Sequence, residues 1–466
     1  MAKAHAAKRG DFAAGAGGRR EKEMKQKKKW LGFMLAAGMA AALSACSSAE
    51  TEETTAAGTG AQTEAQQEEP AAEETSGEGV TLSLYYWDIL FKEEIEQLIA
   101  DYEAQNEGIT IEPTQLPWAD YWTKLETMLA TGDDAPDIFW VNLAHLIEYL
   151  PAGYMLPLND DVMELDKYSQ AATDLLKGDD GSYYGVPFLL DPNVLIYNKA
   201  MFDEAGLEYP TEDWTWDDFR TAAAALTKDD GSQYGYCFRI DTGQGSMHEW
   251  LVSAGNDEFD WNNSIPLFAE ESGIDGWSFV YDLMYTDGST PTGAQMTEIQ
   301  GDTYFQSGQA AMVFGAPPKI VTYAEALGAE NIGVSTLPEG ARKACSFSVC
   351  SMAGYSGTQH EEEVQSFLKY AASQEGMTTL SAAGLTAHLD CFDVYEEGLG
   401  IDVAAIQTTL ENYTLVPILY SVGHNTEFQD QFNSCIGEVY LTTGLDRAGI
   451  QEIVQRYADQ CTAMTQ

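Results

Sequence analysis

Carboxylates are the most abundant chemistry on this chain: 74 Asp and Glu stand against 24 Lys and Arg, a formal net charge of −50. A pair of carboxylates is the working apparatus of glycoside hydrolysis, but at this density a pair can be nominated almost anywhere, so abundance alone selects no site. Histidine is scarcer and dispersed. His248-Glu249 and His360-Glu361 lack the second histidine at helical spacing that a zinc-binding His-Glu-x-x-His needs. No Gly-x-Ser-x-Gly nucleophile turn and no phosphate-cradling Gly-x-x-x-x-Gly-Lys occurs. Beyond Cys46 the cysteines are Cys237, Cys345, Cys350, Cys391, Cys435 and Cys461, with no Cys-x-x-Cys among them. Cys345 and Cys350 are near enough in sequence for a local disulfide, while buried free thiols suit a large domain equally well. The reading is of no catalytic residue, no metal, no cofactor and no enzyme. Nucleic acid is excluded as a partner, because neutralising phosphates takes clustered Lys and Arg.

What remains is a set of aromatic and oxygen-bearing side chains, and the elements around them say where they sit. Val80 to Tyr86 alternates like a strand, and Ile95, Leu98, Ile99 and Tyr102 recur at helical spacing. Ile109 and Ile111 mark a second strand ended by Pro113. Trp122, Leu125 and Leu129 mark a second helix stopping at Gly132, and Ile138 to Val141 reads as a buried strand. This β-α-β-α-β order implies a parallel sheet with right-handed crossovers, and such sheets bind ligands beyond the carboxyl ends of their strands. Trp87 and Asp88 follow the first strand, and Trp140 and Asn142 end the third. Asp88 is also suited to capping the helix that starts there. Trp118, Tyr121 and Trp122 offer a stacking platform, although Trp122 has core spacing. Val364, Phe367, Leu368 and Ala371 mark a late amphipathic helix, and Ile450, Ile453, Val454, Tyr457 and Cys461 another. Two Asp-Asp-Gly-Ser stretches, at 179–182 and 229–232, read as separate turns and not as a repeat.

The N-terminal region has a different character. Lys25, Lys27, Lys28 and Lys29 precede an uncharged run of 16 residues, Trp30 to Ala45, short for a bilayer span of roughly 20 and ordered like an export signal. Its end, Leu43-Ser44-Ala45-Cys46, resembles the lipobox of bacterial lipoproteins, which implies lipidation of Cys46 as the mature N-terminus. Residues 1–45 are then an N-terminal extension and signal peptide, with Met24 as the expected start. Residues 46–79 are the lipidated cysteine and an acidic linker: Ser47 to Gly79 holds nine Glu and no Leu, Ile, Val, Met or aromatic residue, too little apolar surface to offset the entropy of ordering.

From Val80 onward, Ala135-Pro136-Asp137-Ile138, Gly185-Val186-Pro187-Phe188, Leu195 to Leu207, Trp214-Thr215-Trp216-Asp217-Asp218-Phe219 and Phe305 to Met312 together resemble the extracellular solute-binding proteins (family 1) of carbohydrate ABC transporters. The resemblance implies an α/β, two-lobed periplasmic-binding-protein-like fold (type II), with a cleft between lobes joined by a hinge: residues 80–190 with about 346–395 in one lobe, about 191–345 with 396–466 in the other. It also implies carbohydrate as ligand, an ABC permease as partner, a monomer, and a place on the outer face of the cytoplasmic membrane, held by the lipid at Cys46.

In the related maltose binders a carboxylate contacting sugar lies six residues before the Tyr of Tyr-Asn-Lys, a position held here by Asp191, and an aromatic that stacks on sugar matches Trp140. The loop running into Asp241 and Trp250 corresponds to one that faces the cleft. The ligand-binding set is therefore Trp87, Asp88, Trp140, Asn142, Asp191, Asp241 and Trp250. Gly315-Ala316-Pro317-Pro318 stands where maltose binders carry an aromatic, so the pocket departs from a maltodextrin site. The alternatives are a surface-attached glycoside hydrolase and a binder of a cationic small molecule, which the net charge would steer.

Overall fold

The computed structural model describes residues 79–260, 265–418 and 425–464; Met24, Cys46 and the linker lie outside the described residues. Twelve strands occur there: β1 (Val80–Tyr86), β2 (Ile109–Gln115), β3 (Ile138–Asn142), β4 (Val186–Pro192), β5 (Val194–Asn198), β6 (Tyr234–Cys237), β7 (Phe259–Asp260), β8 (Ile265–Pro266), β9 (Ala310–Gly315), β10 (Ile332–Ser335), β11 (Ala344–Gly354) and β12 (Thr414–Pro417).

The first sheet has the order β12-β11-β3-β1-β2, with β4 also paired to β11. β1 runs parallel to both β2 and β3, the outcome that the alternating pattern dictates. The helices Lys92–Gln105 and Trp118–Thr131 make the crossovers, burying Ile95, Leu98, Ile99 and Tyr102 from one and Tyr121, Leu125 and Leu129 from the other. Gly132 ends the second helix in the left-handed conformation, φ 73°, which only glycine adopts without a Cβ penalty. One expectation fails here. β2 does not stop at Pro113 but continues to Gln115, with Pro113 opposite Leu84. β2 is an edge strand, and an edge tolerates the missing N–H because one side has no partner.

The second sheet has the order β10-β5-β9-β6. Each sheet has its own hydrophobic core: one built from Leu82, Leu84, Trp140, Phe188 and Phe367 among others, the other from Phe202, Trp250, Phe314, Phe432 and Tyr440 among others. The chain passes from the first sheet to the second between Pro192 and Val194, and Asn193 sits buried at that step. Its backbone N–H donates to the Ser346 carbonyl at 3.1 Å, and its Nδ2 donates to Ser346 Oγ at 2.9 Å. Ser346 Oγ in turn donates to Glu249 Oε1 at 2.7 Å. A buried polar chain therefore ties β4–β5 and β11 to the helix Met247–Ser253 where the two cores meet.

The loop before that helix depends on Gly245. Its φ is 77°, and a Cβ there would lie 2.2 Å from the Phe314 carbonyl oxygen, so this loop can lie flat on β9 only without a side chain.

The six described cysteines are all free and buried. Cys345 and Cys350 do not pair. They lie five residues apart on β11, and an odd separation on a strand sends the two side chains to opposite faces. Among the described residues no helix is long and apolar enough to cross a membrane.

Candidate functional site

β4 and β3 both pair antiparallel to β11, with Asp191 opposite Ser348 and Asn142 opposite Cys350. The carboxyl ends of β1, β3 and β4 therefore lie along one rim of the sheet, and Trp87-Asp88, Asn142 and Asp191 stand on it.

Trp87 is the hub of an aromatic cluster. Its ring meets Trp118 edge-on at 5.5 Å, Tyr121 at 5.3 Å, Trp140 at 5.2 Å and Trp122, tilted, at 5.1 Å. Tyr121 fastens the cluster to the sheet: its hydroxyl donates to the Trp140 carbonyl at 2.8 Å and accepts from the Trp140 N–H at 3.0 Å. Trp122 stacks on His145 with ring centroids 3.5 Å apart. Burial pushes the His145 imidazole down to about 4, so at neutral pH it is an uncharged stacking partner. The outermost ring is Trp118, which is 53% exposed.

Trp140 is completely buried, packed on Tyr86, Phe91 and Phe188, and its indole nitrogen has no hydrogen-bond partner. It underlies Trp87 and is not itself surface. Asn142 is a cap: its Oδ1 accepts from the His145 N–H at 3.1 Å and lies 2.8 Å from His145 Nδ1, closing the start of the helix Leu143–Tyr149.

Asp88 also caps. Its Oδ1 accepts from the Leu90 N–H at 2.9 Å, holding the 3₁₀ turn Ile89–Phe91. Asp191 is only 9% exposed, and its Oδ1 has no partner. Burial, with the Asp88 charge nearby, raises its carboxyl to about 7. The Cys350 thiol, pushed up by burial and then by Asp191 and Asp88, shares this neighbourhood. So does Tyr395, a residue of the second core whose hydroxyl rises through burial and the Asp191 charge. Asp191 thus sits where the two cores meet.

The two candidates from the second core are placed differently. Asp241 accepts from Arg239 Nε at 3.0 Å and from its Nη2 at 2.7 Å. Burial pushes the Asp241 carboxyl up, but the Arg239 guanidinium outweighs it and holds the group below the usual range. Arg239 and Lys319 also face Asp302, at 3.7 and 2.7 Å, so this cluster balances its own charge. Trp250 is fully buried among Trp216, Phe219, Tyr236, Phe279 and Phe314, and its Nε1 donates to the Tyr236 hydroxyl at 3.1 Å. It offers no free edge to a ligand.

A cavity of about 430 Å³, lined by Tyr168, Leu190, Leu385, His388 and Leu415 among others, contains none of the candidates. Leu190 adjoins Asp191 on β4 and projects to the other face of that strand, so this cavity lies behind the rim. Among the described residues no group of three or more His, Cys, Asp and Glu is arranged to hold a metal.

Residues 90–378 match the bacterial extracellular solute-binding proteins. The chain belongs to that family. Its members bind solutes outside the cytoplasm and are not enzymes. An arabinooligosaccharide-binding protein of Halalkalibacterium halodurans is 27% identical over 272 residues, 56% of this chain and 59% of the relative. A mannitol-binding protein of Pseudomonas aeruginosa is 29% identical over 28% of this chain and 30% of its own length. The chain thus spans about three-fifths or less of these curated relatives. In solved structures, a substrate-binding protein of Listeria monocytogenes in complex with cycloalternan superposes with a TM-score of 0.70 at 21% identity, covering 83% of this chain and 99% of that one. A maltose-bound protein of T. maritima gives 0.68 at 18%, covering 83% and 100%. The periplasmic-binding-protein fold expected from the sequence is the fold observed.

The sequence left other members of the site unmarked. Cys350 comes near Asp191 through the pairing of β11 with β4, and the Asp191 charge also acts on Tyr395, far along the chain; no local pattern signals either. Trp118 was visible as part of an aromatic run, yet nothing in its spacing separated it from its buried neighbour Tyr121.

Proposed function

We propose that this chain captures a sugar or short oligosaccharide between its two cores and delivers it to the permease of an ABC importer, from the outer face of the cytoplasmic membrane, where a lipid on Cys46 holds it. The observation that carries the reading is the half-exposed Trp118 indole, propped on Trp87 and Trp122, on the wall that also bears Asp88 and Asp191. A sugar presents flat C–H faces and a rim of hydroxyls; indoles suit the first and carboxylate oxygens the second. Clefts between lobes are favoured ligand sites, and closure about a hinge is a known mode for such folds. The names of the relatives, which bind an arabinooligosaccharide, mannitol and, in one case, erythritol or L-threitol, support a polyhydroxylated ligand.

Residues 80–190 with about 346–395 form the first lobe in this reading, and about 191–345 with 396–466 the second, except that β4 carries the first sheet on to Pro192 and β12 (Thr414–Pro417) returns to it. Trp87, Asp88, Asp191 and Trp118 contact the ligand; Asn142 sets the rim, Trp140 backs Trp87, and Asp241 faces the ligand from the second lobe, over the core that Trp250 fills.

Titration with a panel of neutral mono- and oligosaccharides, followed by melting temperature, tests the capture function, because a ligand that binds only the folded state raises the midpoint. At least one member of the panel is expected to raise it in proportion to the logarithm of its concentration; a panel that leaves it unmoved rejects the reading. The anchor has its own test. Cys46→Ala is expected to move the protein from the membrane fraction to the soluble one, and an unchanged distribution rejects lipidation at Cys46.

A further inference from the structure

Asp191 and Asp88 pose an electrostatic problem that a neutral sugar does not solve. Asp191 is nine-tenths buried with Oδ1 unpartnered, and the charged neighbour that acts on it is another carboxylate, Asp88. No ion pair among the described residues includes either one. The cations nearest in role, Arg239 and Lys319 of the second core, are already engaged by Asp241 and Asp302. A buried carboxylate beside a like charge is unfavourable unless a cation or a shared proton relieves it. Burial does hold the Asp191 carboxyl up, at about 7, so a proton relieves the repulsion near neutral pH, and a ligand cation can displace that proton. The adjoining wall is suited to that cation. Trp118 and Trp87 present indole rings, whose negative faces attract an ammonium group.

We infer that the ligand is a sugar carrying a basic amino group, whose ammonium is held by the Asp88 and Asp191 carboxylates against the Trp87–Trp118 wall. The inference rests on the sugar-capture reading and narrows its substrate class. It joins the two demands of this rim, flat faces for the indoles and positive charge for the acids, in one molecule. It also gives Asp191 its missing partner: an ammonium has three N–H donors, enough to reach both carboxylates and one further acceptor.

The experiment compares matched probes on the intact protein by calorimetry, with EDTA present to remove metal effects. Glucose, glucosamine and N-acetylglucosamine form one set; the galactose and mannose series, and the β-1,4-linked disaccharides of glucose, glucosamine and N-acetylglucosamine, extend it. In at least one set the free amine is expected to bind tenfold or more tighter than both its hydroxyl and its acetamide counterparts. Asp191→Asn, checked by its melting curve, is expected to erase that preference, so that within the variant the amine binds no tighter than its hydroxyl counterpart, and Asp88→Asn to reduce it.

Neutral members binding as tightly as amines in every set would overturn the inference and leave sugar capture standing. An Asp191→Asn variant that keeps the full amine preference, or loses both classes equally, would overturn it too. Binding of spermidine with no response to any saccharide would remove both readings, as would no binding at all.

Discussion

Stability of the wild-type protein should fall by about 3 kcal/mol between pH 6 and pH 10 through one residue, His248, and Glu258→Gln should abolish that fall. Both His248 ring nitrogens face acceptors: Nδ1 lies 2.7 Å from Glu258 Oε1 and Nε2 lies 3.1 Å from the Thr242 carbonyl oxygen. A neutral imidazole has a single N–H, so this geometry calls for the imidazolium. Burial by itself lowers the affinity for that proton. The Glu258 charge and hydrogen bond, joined by the Glu249 charge and the Thr242 carbonyl, outweigh burial and raise the group to about 9. A folded-state value above the ordinary 6.5 gives stabilisation that is complete below about pH 6.5 and is lost as pH rises through about 9, at about 1.4 kcal/mol for each pH unit between the two values. Glu258→Gln keeps the shape and removes the charge, so burial then dominates and the alkaline loss vanishes. Urea unfolding at pH 6, 8 and 10 reads the difference; the same pH dependence in the two proteins would refute the ion pair. The consequence reaches the candidate site, because this pair pins the Thr242 backbone next to Asp241, and Glu258 holds the pair from a left-handed backbone, φ 63°.

This pair also shows where sequence reading stops. His248-Glu249 has no second histidine at helical spacing. Its partner, however, is Glu258, across a turn that breaks periodicity, and no spacing rule connects the two. The first lobe's β-α-β-α-β was legible for the opposite reason: apolar positions of period two and 3.6 bury in one way only, and Gly132 marks the stop. Pro113 misled because edge and central strands look alike until the sheet is assembled. For Cys345 and Cys350 the sequence allowed either a local disulfide or buried free thiols, and strand alternation on β11 decides for the thiols. Among the candidate site residues, Asp88 caps as its place before a helix suggests, whereas the capping of Asn142 against His145 follows a three-residue spacing that also suits a polar rim residue. Trp140 and Trp250 are the instructive pair. A large aromatic at a strand end or helix start suits both a core and a cleft, and burial is the property a sequence reports least well.

That ambiguity yields the second large effect, a contrast between two tryptophans one ring apart. Trp140 has no exposed surface and touches Tyr86, Trp87, Phe91 and Phe188, so Trp140→Ala removes a packed core ring, a change that costs about 3–5 kcal/mol. Its affinity for saccharide falls only as the wall behind Trp87 slackens. Trp118 is half exposed, with one edge on Trp87 and one on Trp122. Trp118→Ala is therefore expected to leave the unfolding free energy within about 1 kcal/mol of wild type. The same variant should weaken the best-binding saccharide at least tenfold, about 1.4 kcal/mol, because it deletes the accessible stacking face. Urea denaturation and calorimetric titration on both variants separate the roles. If Trp118→Ala binds as wild type does, the stacking wall is misplaced. If Trp140→Ala is as stable as wild type, the ring is not the core element its burial describes. A protein that binds a solute on its surface cannot place its recognition ring inside its own core; the rings that hold the wall rigid and the ring that meets the ligand have to be different residues. Here the chain separates them along one line of contacts, from Trp140 through Trp87 to Trp118.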